Sequence, residues 1–158
     1  GLKSEKLDYK GIIFFGIMIT KKGTYLLEYN VRMGDPETQA VLPLMESDFV
    51  DLIQSSLDGK LADFDLKWNK GASCCVVAAS KGYPIKYEKG FKIDGLNNVK
   101  NIFASGVKKE NGIFKTNGGR VLCTYGVGEN LKSAVKIAYD NLEKIKFDGK
   151  YFRTDIGE

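Results

Sequence analysis

Residues Leu26–Gln39 read LLEYNVRMGDPETQ, a strand pattern that breaks at a glycine and restarts as a helix. On a β-strand, alternate side chains face the same way. Glu28, Asn30 and Arg32 therefore fall on one face, and Leu27, Tyr29 and Val31 on the other. A carboxylate and an amide oxygen about 7 Å apart along a strand suit a hard cation. Mg²⁺ takes such oxygens, and nucleotide phosphates commonly complete its shell. Arg32, one step further on, is placed to reach a phosphate oxygen. Gly34 turns the chain, Asp35 is a natural cap, and Pro36 suits the first helical position. Taken alone, Glu-x-Asn is also an ordinary solvated strand tripeptide, so the stretch has to be read with its surroundings.

Upstream, Gly11–Thr20 (GIIFFGIMIT) is almost continuously apolar, too short for a membrane helix and rich in Ile and Phe. It reads as a strand buried on both faces. The turn signal Lys21-Lys22-Gly23 joins it to a second strand over Thr24–Val31, giving an antiparallel hairpin. Residues 1–10 are polar and charged and are expected to be a poorly packed start. A doubly apolar strand needs cover on both sides, and little precedes it. Part of its sheet is therefore expected to be missing, leaving an exposed apolar patch or self-association that hides it. The start at Gly1 rather than Met fits a processed or truncated chain.

Downstream, Asp35–Met45 reads as a short helix bent or ended near Pro43. Ser47 is expected to cap a second helix, Asp48–Leu57, with Phe49, Leu52, Ile53 and Leu57 on one face and Gly59 at its C-terminal cap. The character then turns to β: strands over Ala72–Ser80, Gly90–Ile93, Asn101–Val107, Ile113–Lys115 and Gly119–Val127. Turns lie at Lys81–Pro84 and Lys108–Gly112, the latter with the hairpin signal Asn111-Gly112. The last helix is Asn130–Ile145, with a core stripe of Leu131, Ala134, Val135, Ala138, Leu142 and Ile145, and with Lys144 and Lys146 at its C-terminal end. Tyr151–Gly157 packs back as a tail. The fold class is α+β, divided into residues 1–60 and 61–158, with helix Asp48–Leu57 as the bridge.

Composition excludes several functions. The net charge of +4 comes from 24 basic and 20 acidic residues scattered along 158, with no Lys/Arg block for nucleic acid or an anionic membrane. No signal peptide and no bilayer-length apolar run occur. Cys74, Cys75 and Cys123 form no C-x-x-C and read as buried thiols of a cytoplasmic protein. The chain has no histidine, which rules out a His triad, a His zinc site and a histidine base within it. Gly126-Val127-Gly128 before a helix is a weak phosphate-loop signal and reads as a strand-to-helix turn. Arg120, after the Asn117–Gly119 turn, either pairs with a surface acid or faces a ligand. Asp35 and Glu37 either serve the helix start or hold a substrate amine.

The opening stretch resembles the end of the ATP-grasp domain of the phosphoribosylamine–glycine ligase (glycinamide ribonucleotide synthetase) family, L-E-[FY]-N-x-R-x-G-D-P-E-x-Q. The stretches SKGYP (Ser80–Pro84), YEKG (Tyr87–Gly90), TNGGRVL (Thr116–Leu122) and RTDIG (Arg153–Gly157) resemble the C-terminal part of the same family, in the same order, so the likeness covers residues 9–158. The resemblance implies the end of an antiparallel ATP-grasp sheet with two helices, followed by a small β-rich domain with one long helix. It also implies an ATP-dependent ligase of purine synthesis, in which glycine is activated as glycyl phosphate and attacked by 5-phosphoribosylamine. By that likeness Glu28 and Asn30 are the ligands of Mg²⁺ or Mn²⁺, Arg32 is catalytic, and Arg32, Gly34, Asp35 and Glu37 line the ATP and substrate pocket. The family often has F-H-A-G-T where this chain has Phe103-Ala104-Ser105-Gly106-Val107, so any contact made by that histidine is lost. The family's N-terminal part would be the partner of this chain, and without it the chain is expected to be inactive. The rival reading is a stand-alone docking module that uses the hairpin as its surface.

Overall fold

The computed structural model describes residues 1, 2 and 4–158. Its contacts divide the chain into two compact units: Gly1–Thr38 with Met45–Asn69, and Gln39–Leu44 with Lys70–Glu158. Antiparallel sheets and helices make it an α+β protein, as expected from the sequence.

The first unit is built on a hairpin of β1 (Phe14–Thr20) and β2 (Gly23–Asn30). Lys21 and Lys22 form the turn, and Thr20 steadies it: its hydroxyl donates to the Gly23 carbonyl at 3.0 Å and accepts from the Lys22 amide at 3.1 Å. The register runs Phe14↔Asn30, Phe15↔Tyr29, Gly16↔Glu28 and then Ile17↔Leu26, so Leu27 is an extra residue on β2. Such a bulge sharpens the local twist. The expected burial of β1 on both faces does not occur within this chain. Ile19 is 79% exposed and Tyr29 67%, with Phe15, Ile17, Met18, Leu26 and Leu27 also exposed. The hairpin is the apolar patch that the doubly apolar strand implied.

The expected helix over Asp35–Met45 is shorter. The helix α1 covers Glu37–Val41 and tightens into a 3₁₀ turn at Leu42–Leu44, where Pro43 lacks the N–H that would continue it. The helix α2 spans Phe49–Leu57. Its cap is Asp48 rather than Ser47: the Asp48 carboxylate accepts from the amides of Val50 at 2.7 Å and Asp51 at 3.1 Å. The Ser47 hydroxyl instead accepts from the Lys67 amide at 2.8 Å. At the other end Gly59 is left-handed (φ +73°), the Lys60 amide reaches back to Ser55, and the Gly59 amide to Ser56. This is a complete Schellman cap.

In the second unit β3 (Ala72–Ser80) pairs with β7 (Arg120–Gly128), flanked by β4 (Ile102–Ala104) and β8 (Lys150–Tyr151) in the order β4-β7-β3-β8. The separate hairpin of β5 (Val107–Glu110) and β6 (Ile113–Thr116) turns at Asn111-Gly112, both with positive φ as a tight hairpin turn requires. Two expected strands differ. Gly90–Ile93 forms only an isolated bridge, because Gly90 and Phe91 both donate to Thr116, one to its carbonyl and one to its hydroxyl, instead of building a ladder. Asn101–Val107 splits into β4 and β5, because the Ser105 and Gly106 amides turn onto the carbonyls of Val121 and Arg120.

The helix α3 (Leu131–Glu143) covers this sheet, started by a capping box between Asn130 and Ser133. Ala134, Ala138 and Leu142 are buried with Cys74, Val76, Ala78, Val121 and Ile145, while Leu131 is exposed. Gly126 and Gly128 are strand residues, not a loop. A Cβ on Gly126 would lie 2.1 Å from the Ala134 carbonyl, and one on Gly128 would lie 2.2 Å from the Ser133 hydroxyl. The glycines let the helix backbone meet the strand backbone, and the Thr124 hydroxyl donates across that contact to Ala138 at 2.8 Å. At the far end, Lys150 rather than Lys144 or Lys146 serves the helix carbonyls: its ammonium donates to Leu142 at 3.0 Å and Ile145 at 2.7 Å, and burial lowers its pKa. The tail packs back as expected, with the Tyr139 hydroxyl donating to the Arg153 carbonyl and accepting from the Ile156 amide. Among the described residues no helix is long and apolar enough to cross a membrane.

Gly126→Ala is expected to lower the stability of this unit by about 1–3 kcal/mol by forcing α3 outward. Leu142→Ala is expected to cost about 2–5 kcal/mol. Urea midpoints followed by circular dichroism read both, and an unchanged midpoint for Gly126→Ala would contradict the close contact. Hydrogen bonds from Lys115 and Lys108 hold the Glu110 carboxyl below the usual carboxylate range. A depressed acid contributes stability above its unfolded pKa of about 4.3 and loses it as pH falls through the lower folded value. Glu110→Gln should therefore unfold slightly earlier than the parent at neutral pH and converge with it in acid.

Candidate functional site

The bulge at Leu27 lies before Glu28, so Glu28 and Asn30 keep their alternation and share one face of β2. Across the hairpin, Glu28 faces Gly16 and Asn30 faces Phe14. A Cβ on Gly16 would lie 3.0 Å from the Glu28 Cγ, so the glycine leaves room for the carboxylate. Gly34 is buried, and a Cβ there would meet the Glu37 Oε2 at 2.4 Å and the Phe14 ring at 2.9 Å. The structure thus gathers Glu28, Asn30, Gly34 and Glu37 around Phe14.

Arg32 does not continue the strand face. β2 ends at Asn30, residues 31 and 32 bend away, and the Arg32 guanidinium donates to the Met33 carbonyl at 2.8 Å. Pro36 is not the first helical residue either; the helix begins at Glu37, after a cis Asp35–Pro36 peptide, with Asp35 exposed on the turn. The Gly34 carbonyl accepts from both the amide and the hydroxyl of Thr38, which ties the turn to α1.

The donor set fits a divalent cation shared with a ligand. One carboxylate and one amide oxygen on adjacent same-face positions are hard donors. The Asn30 Nδ2 is buried and has no hydrogen-bond partner among the described residues; as an N–H donor it calls for an acceptor such as a phosphate oxygen, and only the Oδ1 of the same amide is a cation donor. Among the described residues no cluster of three or more His, Cys, Asp or Glu side chains forms a closed cage. The remaining ligands would then come from phosphate or water, which is how Mg²⁺ is commonly held.

The second unit brings together motifs that are far apart in sequence. Ser80 is bonded twice to the Gly118-Gly119 turn, by its amide to Gly119 at 2.8 Å and by its hydroxyl to Gly118 at 3.0 Å. A Cβ on Gly119 would lie 2.1 Å from the Tyr83 ring and 3.0 Å from Tyr87. The Arg120 guanidinium sits 6.0 Å from the Tyr83 ring centre. Gly106 approaches Gly118 so closely that a Cβ on Gly106 would lie 2.6 Å from its Cα. SKGYP, YEKG, TNGGRVL and the Gly106 turn therefore form one cluster, with Ala104 exposed at the end of β4. Sequence reading found each motif but not their meeting, because its only local signal is the surplus of glycines. In the tail, Arg153 and Asp155 pair at 2.8 Å, which raises the Arg153 pKa and lowers that of Asp155.

The description "Phosphoribosylglycinamide synthetase, C domain" matches residues 73–158, and "Phosphoribosylglycinamide synthetase, ATP-grasp (A) domain" matches residues 1–38. The phosphoribosylamine–glycine ligase of Clostridium acetobutylicum is 60% identical over all of this chain and 38% of its own length. That of Fusobacterium nucleatum is 50% identical over 99% of this chain and 38% of its own. The crystal structure of the Thermotoga maritima phosphoribosylamine–glycine ligase superposes with a TM-score of 0.85 at 37% identity, covering 98% of this chain and 39% of that one. The chain thus spans well under half the length of the relatives it matches. From the motif cluster and sheet of the second unit to the Glu28–Asn30 strand of the first, the chain belongs to the phosphoribosylglycinamide synthetase family.

Proposed function

We propose that this chain is the C-terminal part of an ATP-dependent ligase of purine synthesis. The reaction joins glycine to 5-phosphoribosylamine through glycyl phosphate and yields glycinamide ribonucleotide, ADP and phosphate. The observation that carries the reading is the Glu28–Asn30 face, two oxygen donors opposite Gly16 and Phe14 in the segment that matches the ATP-grasp domain. Glu28 and Asn30 would hold the divalent cation, Mg²⁺ or Mn²⁺. What the ion supplies there is neutralisation of phosphate charge while a carboxylate approaches.

The chain's own residues bind and orient. Gly34, with no Cβ, lets the Glu37 carboxylate stand beside Phe14. Glu37 and Asp35 would hold the amine of glycine or of the aminosugar. Arg32 spends one N–H on the Met33 carbonyl, and its other donors would serve the phosphoryl oxygens. No general base need come from this chain, so its lack of histidine leaves the chemistry intact. The preceding residues of a longer protein would supply the adenine pocket and the cover for the exposed faces of β1 and β2. The setting of such an enzyme would be the cytoplasm. A docking module would use the same exposed hairpin, but it would have no need of the Glu28–Asn30 face.

The 158-residue chain alone is expected to form no ADP from ATP, glycine and 5-phosphoribosylamine. In the full-length ligase, Glu28→Gln should lower kcat by about two orders of magnitude or more, as loss of a transition-state charge contact does. Steady-state assay of ADP release checks both. Parental turnover in Glu28→Gln would remove Glu28 from the site, and turnover by the chain alone would contradict its being part of a longer enzyme.

A further inference from the structure

We propose that Phe14 positions the two carboxylates of the candidate site, its ring standing as an apolar wall between Glu28, which would hold the cation, and Glu37, which would hold the amine. The proposal rests on the ligase reading and adds to that site a residue that binds neither metal nor substrate. The register puts the ring there. Phe14↔Asn30 and Gly16↔Glu28 are successive pairs on one face of the hairpin, and the bulge falls beyond them, between Gly16 and Ile17. Residues directly opposite each other on an antiparallel pair point to the same side. Phe14 is therefore the bulky β1 side chain beside the two donors.

Two glycines frame the ring. A Cβ on Gly16 would lie 3.0 Å from the Glu28 Cγ and 3.6 Å from the Phe14 Cε1. A Cβ on Gly34 would run into the Glu37 carboxylate and lie 2.9 Å from the Phe14 Cε2. Each glycine thus marks a point where one edge of the ring meets one acidic side chain, and the two edges are opposite ones. Phe14 is half-buried while Glu28 and Glu37 are exposed, so the ring is the fixed member of the group. Its neighbour Phe15, on the other face, is 58% exposed, so burial is not a general property of the aromatic residues of β1.

A wall is needed because carboxylates compete for cations. The affinity of a hard divalent ion rises with the charge count of its ligands, so an unrestrained Glu37 would join Glu28 on the metal. Two carboxylates would offset the charge that the ion offers to phosphate, and the amine would lose its acceptor. The Phe14 ring offers neither a donor nor a lone pair. It occupies the space through which the Glu37 carboxylate would have to pass, and its apolar surface controls what reaches the metal ligands, as the hydrophobic shell of a metal site does.

The test is made on the full-length ligase, with Mn²⁺ binding read by electron paramagnetic resonance in the presence of a non-hydrolysable ATP analogue. Phe14→Ala is expected to bind Mn²⁺ about tenfold more tightly than the parent, because a second carboxylate gains access to the ion. Its kcat should fall at the same time. Adding Glu37→Gln to Phe14→Ala should return the Mn²⁺ affinity to the parental value. Phe14→Leu, which keeps an apolar side chain in place, should stay within about twofold of the parent. If Phe14→Ala does not fold, Phe14→Val, which suits a strand, should show the same tightening to a smaller extent. A Phe14 that merely supports the hairpin would give the opposite, weaker Mn²⁺ binding that Glu37→Gln does not change. That result, or an unchanged affinity in the truncated variant, would overturn the proposal. Glu28→Gln separates the two failures. Parental Mn²⁺ binding in Glu28→Gln would overturn the cation reading itself, whereas loss of Mn²⁺ there with parental binding in Phe14→Ala would overturn only the role of Phe14.

Discussion

The contact between α3 and β7 is made backbone to backbone, and the second unit depends on it. Gly126 and Gly128 give up their side chains so that Ala134 and Ala138 can come against the sheet. The alternating Cys74, Val76 and Ala78 of β3 then close the same core. A unit this small has little apolar area to spare, so a helix pushed off by one methyl group loses contacts along its whole buried stripe. The Thr124 hydroxyl and the Lys150 ammonium tie the helix at its middle and its C-terminal end. β7 is thereby fixed, and with it the Gly118-Gly119 turn that leads into it and on which the Tyr83, Tyr87 and Arg120 cluster is assembled.

The first unit shows a different economy. Its strands are as apolar as core strands, yet both faces stand open in this chain. Such faces are costly in water and are found where further structure covers them. That is the physical counterpart of a chain that spans only 38% of the length of its Clostridium acetobutylicum relative. The same hairpin carries the two donors of the proposed cation site, so in the proposed longer enzyme cover for the strands and completion of the site would come from the same further structure.

What was legible in the sequence followed local rules. A continuous apolar run and the Lys21-Lys22-Gly23 turn signal gave the β1–β2 hairpin, the small and β-branched residues of Ala72–Ser80 gave β3, the Asn111-Gly112 pair gave the β5–β6 turn, and the 3.6-residue stripe gave α3. Errors arose where two local rules compete or where the partner is distant. Ser47 and Asp48 are both good caps; Asp48 took the helix because Ser47 is engaged by Lys67, twenty residues on. Arg32 was placed by continuing the strand two residues past its end. Gly126 and Gly128 have a loop signature but serve a packing contact that only the fold creates. Lys150 reaches the end of α3 through a turn that no helical periodicity reveals. At the candidate site the alternation of Glu28 and Asn30 was legible because the bulge lies before them. The roles of Gly16 and Gly34 were not legible, because both depend on the residue opposite.

In the proposed enzyme Glu28 and Asn30 hold one divalent cation with the phosphates of ATP. The most direct measurement is anomalous diffraction from crystals of the full-length ligase grown with Mn²⁺ and a non-hydrolysable ATP analogue. A peak is expected within direct coordination distance of a Glu28 carboxylate oxygen and of the Asn30 Oδ1, shared with phosphate oxygens. A nucleotide-bound manganese that touches neither residue would contradict it.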